Sequence, residues 1–256
     1  MVLFTSGKGG VGKSLVAVNV ANALAQRGLR VGLLDADVHG PSVPRMLQLA
    51  GERIRWNDAD RMVPLENFGL RVMSVGFTTA DADTPLGWRS AVVTSALVQL
   101  LEDVDWGPLD VLAVDLPPGT GDVLLTLVQE LPVSLAVLVT TPQQVATDDV
   151  RRQLRLLLDM GVRVGGVVEN MACFVAPDTG VRHHPFGEGG GMRLAGDYGV
   201  PFLGEIPLDP AIAAASDRGT PVAATGSEEH RAVFAALAGR VEQALGAAGE
   251  DQPGSA

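Results

Sequence analysis

At 256 residues, with 46% hydrophobic and 19% charged content, the chain is long enough to bury one large α/β core. Its 19 basic and 30 acidic residues give a formal charge of −11, which argues against broad attraction to nucleic acid or anionic lipid. No apolar run approaches a membrane helix, Met1 leads almost directly into a strand without room for a signal peptide, and the single cysteine, Cys173, excludes an internal disulfide and suits a reducing cytosol.

Taken in order, apolar runs alternate with helical patterns, the signature of a mostly parallel sheet covered on both faces. Val2 to Thr5 reads as a buried strand, and Val11 to Gln26 as an apolar helix closed by Arg27-Gly28, with Gly28 as its C-terminal cap. Arg30 to Leu34 is a second strand running into Asp35-Ala36-Asp37. Leu70 to Val75 is a third strand and Arg89 to Leu101 a helix. Val111 to Val114 ends at Asp115, and Leu135 to Val139 ends at Thr140-Thr141-Pro142. Val145 to Met160 is a helix, Val164 to Val168 a strand ending at Glu169-Asn170, and Phe202 to Ile206 a last short strand before Pro207. Ser227 opens a closing helix with Val233, Phe234, Leu237, Val241 and Leu245 on one face. A single domain over 1–246 is expected, with 247–256 as a small, polar, disordered tail. Ligands in such sheets collect beyond the carboxyl ends of the strands, where Asp35/Asp37, Asp115, Thr140/Thr141 and Asn170 converge.

The segment Gly7-Lys8-Gly9-Gly10-Val11-Gly12-Lys13-Ser14 matches G-x-x-x-x-G-K-[ST] between a strand and a helix, the context a phosphate-binding P-loop requires. Its glycines let backbone N–H groups close around phosphate oxygens, and the helix N-terminus aims its dipole at them. Lys13 reaches the β- and γ-phosphates, and Ser14 offers a hydroxyl to Mg²⁺. Lys8 and Lys13 are the chain's two lysines; the other 17 of its 19 basic residues are arginines, as if a compact ammonium were kept where a planar fork cannot serve. The chain is therefore expected to bind a nucleoside triphosphate. Asp115, following four apolar residues, reads as the Walker B carboxylate of the Mg²⁺ shell. Asp35 and Asp37 stand two apart in extended backbone, so one can orient an attacking water and the other can structure the loop; Asp37 is the candidate catalytic residue. In the run from Asp115 to Asp122, Gly119 and Gly121 allow close approach to a γ-phosphate, and Pro117-Pro118 stiffen a candidate switch loop.

A second lysine in the loop makes the deviant pattern K-G-G-V-G-K-[ST]. Here the sequence resembles the MinD/ParA superfamily of dimerising P-loop ATPases, and within it the Mrp/ApbC-type iron–sulfur cluster carriers. The resemblance runs from about Val2 to Val222 and includes Asp35 to Ser42, Asp115 to Asp122, Val139 to Gln143, Val167 to Met171 and Phe186 to Gly191. It implies ATP as the nucleotide, a nucleotide-gated homodimer in which Lys8 reaches the partner's nucleotide, an adenine contact from Asn170 with Pro207 packed beside it, and iron–sulfur apoproteins as clients. The Gly187 to Gly191 stretch reads as a helix-entry loop rather than a second phosphate site. A MinD- or ParA-like positioning role is the alternative, or a nucleotide-dependent scaffold without cluster chemistry. Positioning would need a basic DNA-binding face or a cationic membrane tail, whereas the closing helix has mixed charge and the tail carries Glu250 and Asp251.

The chain departs from that family in three places. Leu15 stands where the family has a Ser or Thr contacting the α-phosphate, so a backbone N–H survives there but a hydroxyl is lost. The chain begins at the P-loop strand, without the small N-terminal domain of many relatives. The family's C-x-x-C pair, shared between two subunits to hold one cluster, is replaced by Ala176 and Thr179. A four-iron cluster takes four thiolates, and a homodimer with one Cys173 per chain owns two. Cys173 lies three residues before the first family position. Ligation by Cys173 with His183 or His184 is weighed against a small buried thiol and a solvated histidine loop, and the second reading is expected.

Overall fold

The computed structural model describes residues 1–38, 40–77, 90–119 and 122–250. Twelve strands occur among them: β1 (Val2–Thr5), β2 (Val31–Asp35), β3 (Arg55–Trp56), β4 (Met62–Val63), β5 (Leu65–Asn67), β6 (Leu70–Ser74), β7 (Val111–Asp115), β8 (Leu135–Thr140), β9 (Val164–Asn170), β10 (Phe174–Val175), β11 (Arg182–His183) and β12 (Phe202–Ile206). The α-helices are α1 (Lys13–Gln26), α2 (Val43–Met46), α3 (Ser90–Glu102), α4 (Asp122–Glu130), α5 (Gln144–Asp159), α6 (Gly190–Tyr198), α7 (Pro210–Asp217), α8 (Val222–Thr225) and α9 (Glu228–Glu250).

Eight strands form one sheet in the order β12-β9-β8-β1-β7-β2-β6-β5, parallel throughout except for β5, which lies antiparallel to β6 at the edge. The two-residue strands pair separately as the hairpins β3–β4 and β10–β11. Strands β1, β2, β7, β8 and β9 are buried almost end to end, as expected where helices cover both faces of a parallel sheet. The chain passes from β1 to β2 in one direction along the sheet and from β8 to β9 in the other. With right-handed crossovers, α1 and α5 therefore fall on opposite faces, and the connections diverge beside β1, where such sheets open a crevice. Register then levels the strand ends. Asp115 pairs with both Phe4 and Asp35, Asp35 with Ser74, and Asn170 with Ile206.

Every strand expected of the main sheet is present, but β5, both hairpins and α2, α4, α7 and α8 are additional. Two-residue strands and four-residue helices are too short to leave a periodic trace. Helix α1 begins at Lys13 rather than Val11, because Gly12 is left-handed (φ 84°) at the N-cap and the preceding residues form the loop. Gly28 (φ 93°) does follow the helix end. Arg89, His39, Thr120 and Gly121 lie outside the described residues, so the switch-loop expectation can be followed only as far as Gly119.

The expected end of the domain at Gly246 is corrected. Helix α9 continues to Glu250, carrying 247–250 with it, while 251–256 lie outside the described residues. Ala247 and Ala248 favour the helix more strongly than small size suggested. Phe234, Leu237 and Val241 are buried, with Val233 and Leu245 packed partly against the core, where α9 contacts α1, α8 and β12. Phe234→Ala is expected to cost about 3–5 kcal/mol through lost burial and the cavity left behind, read as a fall in the urea midpoint with near-native circular dichroism before unfolding.

Candidate nucleotide-binding site

Beyond the carboxyl ends of β1, β7 and β2 lies a cleft of about 350 Å³. Lys8, Gly9, Gly10, Val11, Gly12, Lys13, Ser14 and Leu15 line it with Asp37, as anticipated. Its other wall, unanticipated, is Ser42 and Met46 at α2 together with Ala213, Ser216 and Asp217 on α7; Ser6 and Pro118 complete it. Short helices separated by more than 160 residues give a sequence reader no shared signal. Gly10 (φ 81°) and Gly12 (φ 84°) hold the left-handed conformations that curl the loop. At Gly7 the constraint is space, since a Cβ there would overlap the backbone of Asp149 and Val150 on α5.

On the cleft floor, Lys13 Nζ donates to Asp115 Oδ1 at 2.5 Å, with both side chains buried, and lies 3.4 Å from Ser14 Oγ. Asp115 Oδ2 is also buried and has no hydrogen-bond partner among the described residues. One strand over, Asp35 accepts from the backbone N–H groups of Asp37 and Val43 at 3.2 Å and from Ser74 Oγ at 3.1 Å. Burial, then the neighbouring Asp115 charge, raises the Asp35 carboxyl to about 8. Burial also raises Asp115, and the Lys13 ammonium opposes that rise. Asp37, half-buried, faces the cleft and accepts from Gly40 N–H at 3.3 Å. Asp35 is enclosed by the loop it holds, and Asp37 faces the cleft.

Asn170 and Pro207 stand apart from the residues that line this cleft. Asn170 does not line the cleft; its Nδ2 donates to the Val11 carbonyl at 2.8 Å, bracing the P-loop from below. Pro207 follows Ile206, the register partner of Asn170, so the two stand at neighbouring strand ends. Gly119 (φ 95°) donates its N–H to the Ser6 carbonyl at 2.8 Å and accepts from Gln153 at 2.9 Å. Neither backbone group is open to phosphate here, and Pro118 is the residue that faces the cleft.

Glu169 had no assigned role. It is buried, its carboxylate accepts from Gly189 N–H at 3.2 Å and from Gly191 N–H, and burial raises its pKa. It occupies the start of α6, where a Cβ at Gly190 would overlap the Pro142 carbonyl. The Gly187–Gly191 run is thus a helix entry, as read, with its N-terminus already holding an anion.

The chain matches the family model described as NUBPL iron-transfer P-loop NTPase, of ParA type, over residues 1–242. The chain belongs to this family. It is 48% identical over 217 residues to a protein named iron–sulfur cluster carrier protein from Aquifex aeolicus, covering 85% of this chain and 60% of that relative. A protein of the same name from Synechocystis is 44% identical over 253 residues, covering 95% of this chain and 71% of that one. The chain thus spans roughly two thirds of their length. Among solved structures, an Archaeoglobus fulgidus nucleotide-binding protein in complex with ADP is 37% identical, with a TM-score of 0.75 over 85% of each chain. MinD from Pyrococcus furiosus, 23% identical with a TM-score of 0.67 over 94% of this chain and 98% of that one, shares the fold.

The cluster-binding region of the resemblance falls on the β10–β11 hairpin. Ala176 and Thr179 lie in its turn, where Ala176 N–H bonds the Val181 carbonyl at 3.0 Å and Thr179 Oγ1 accepts from Val181 N–H at 3.3 Å. Cys173 is buried at the hairpin base, with Arg182 Nη2 donating to its Sγ at 3.2 Å. His184 Nδ1 pairs with the Ala172 carbonyl at 3.1 Å, and His183 is exposed. No group of three or more His, Cys, Asp or Glu suited to a metal ion occurs among the described residues.

Two outcomes follow from this geometry. Gly7→Ala must displace the loop from α5 and is expected to weaken nucleotide binding, checked by equilibrium titration with ADP. For Asp35, the folded state keeps a proton that the unfolded chain has released, so its contribution to stability falls as pH rises from the ordinary carboxylate range through about 8. In nucleotide-free protein, Asp35→Asn should flatten the decline of the urea midpoint between those limits.

Proposed function

We propose that this chain is a Mg²⁺-dependent ATPase that works as a nucleotide-gated homodimer in iron–sulfur cluster carriage or assembly. The observation that carries the reading is the Lys13–Asp115 pair, at the floor of a glycine cradle and at the start of α1. When ATP enters, Lys13 exchanges Asp115 for the β- and γ-phosphates, whose remaining oxygens take the loop N–H groups. The unpartnered buried Asp115 Oδ2 beside the Ser14 hydroxyl suits a hard cation. Ser14 and Asp115 would hold magnesium, which would offset phosphate charge. Asp37 orients the attacking water. Lys8, half-exposed at the cleft, serves the nucleotide of a second protomer. Asn170 and Pro207, side by side at the ends of β9 and β12, are assigned to the adenine.

The cluster is cargo, and the names of the relatives support that role. With Ala176 and Thr179 at the hairpin turn, the cargo is held with thiolates from another, cysteine-bearing chain or carried in an altered form. Clients are iron–sulfur apoproteins, and the compartment is the cytoplasm.

Lys13→Ala should abolish ATP binding in equilibrium titration; near wild-type affinity would remove the assignment. Lys8→Ala and Asp37→Ala should bind ATP yet lose most turnover, Lys8→Ala by about 10³-fold or more if its cation acts in trans. Hydrolysis by Lys8→Ala at the wild-type rate would sink the intersubunit mechanism. After anaerobic reconstitution with iron and sulfide, the wild type should not keep four irons per dimer through desalting. Ala176→Cys with Thr179→Cys should gain an oxygen-sensitive cluster, visible by its thiolate absorbance.

A further inference from the structure

Gln153, on α5, is fully buried although nothing in the proposed chemistry requires it. Its Nε2 donates to Thr5 Oγ1 at 2.5 Å, at the end of β1, and to the Gly119 carbonyl at 2.9 Å, on the loop following Asp115. A carbonyl can only accept, so the second contact fixes which end of the amide is nitrogen. The other end, Oε1, is buried without a hydrogen-bond partner among the described residues. Gly119 is tied on its second side by its own N–H, which donates to the Ser6 carbonyl at 2.8 Å.

We propose that Gln153 is a positioning residue: it latches the loop after Asp115 to the strand that feeds the P-loop, and engagement of the γ-phosphate requires the latch to open. The inference rests on the ATPase reading. While the latch is closed, both backbone groups of Gly119 are occupied and Pro118 stands between them and the cleft. A loop held this way cannot offer an N–H to a terminal phosphate. The closed state is also incomplete, because a buried amide oxygen without a donor is destabilising. That weakens the latch enough for a phosphate to compete with it. Helix α5 sets its height, since its backbone at Asp149 and Val150 rests on Gly7 one turn earlier. ADP lacks the group that opens the latch and binds with it closed.

The test is equilibrium binding of a non-hydrolysable ATP analogue and of ADP, each with Mg²⁺, to full-length wild type and Gln153→Leu. Leucine keeps the bulk, removes the tether and removes the orphaned oxygen. The analogue should bind about 3- to 10-fold more tightly, the range one neutral hydrogen bond spans, while ADP affinity stays unchanged. Thr5→Val, which removes the strand-side anchor but leaves the Gly119 tether, should move the ratio of the two affinities in the same direction and by less. Should Gln153→Leu fail to fold, the side-chain amide resonance of Gln153 in wild-type protein gives the same answer. It should shift with the ATP analogue and not with ADP. Equal changes for both nucleotides, an unmoved ratio, or a resonance blind to the γ-phosphate would each overturn the latch. Wild type binding neither nucleotide would instead remove the ATPase reading beneath it.

Discussion

The buried contact between Lys13 and Asp115 sets the terms for everything around it. Two opposite charges taken out of water cost several kcal/mol each in desolvation, which their attraction recovers only with close geometry and satisfied surroundings. The 2.5 Å separation supplies the geometry, but Asp115 Oδ2 is left unpartnered. The pair is thus held in place by the fold rather than optimised as a stabilising element. Asp35 could not share the same pocket as a second full charge, and it keeps its proton instead. Lys13, Asp115, Asp35 and the half-buried Asp37 thus form one electrostatically linked cluster beside the phosphate loop.

Backbone proximity is the second organising constraint. Gly7 lies where α5 leaves no room for a side chain, Gly12 lies above Asn170, and Gly190 lies against Pro142. At each point a loop meets a helix or strand end without intervening atoms, so small displacements pass directly between elements. Glu169 and Asn170, consecutive on β9, act on two different loops: Glu169 fixes the entry to α6, and Asn170 braces Val11. Strand β9 thereby links the phosphate loop to the glycine-rich turn leading into α6.

The main sheet and the phosphate loop were legible because their signals are local. Four or five apolar residues, running into the glycine loop after β1 and ending at Asp35 in β2 and Asp115 in β7, fix these strands and their polar ends without tertiary information. The opposite cleft wall was not legible. Met46 and Ser216 come together only through packing of α2 against α7, which no short-range pattern encodes. Gly119 was read as a point of close approach to a phosphate, but its partners here, Ser6 and Gln153, lie on elements distant in sequence. Gln153 carried no signal in the sequence beyond its place within the helix expected over Val145 to Met160. The missing cysteine pair was plain from sequence alone, whereas its place at a hairpin turn required the structure.

The distribution of amines has a separate consequence. Both lysines of the chain belong to the loop that lines the cleft, one half-exposed and one paired with a carboxylate. Every other basic side chain except histidine is a guanidinium, inert to reagents and enzymes that acylate ammonium groups. Lysine acylation of this molecule therefore cannot be a diffuse surface event. It falls on Lys8 or Lys13, and a bound nucleotide shields the latter. Lys13 is buried against Asp115 while Lys8 is half-exposed, so an acylating reagent would mark this loop chiefly at Lys8.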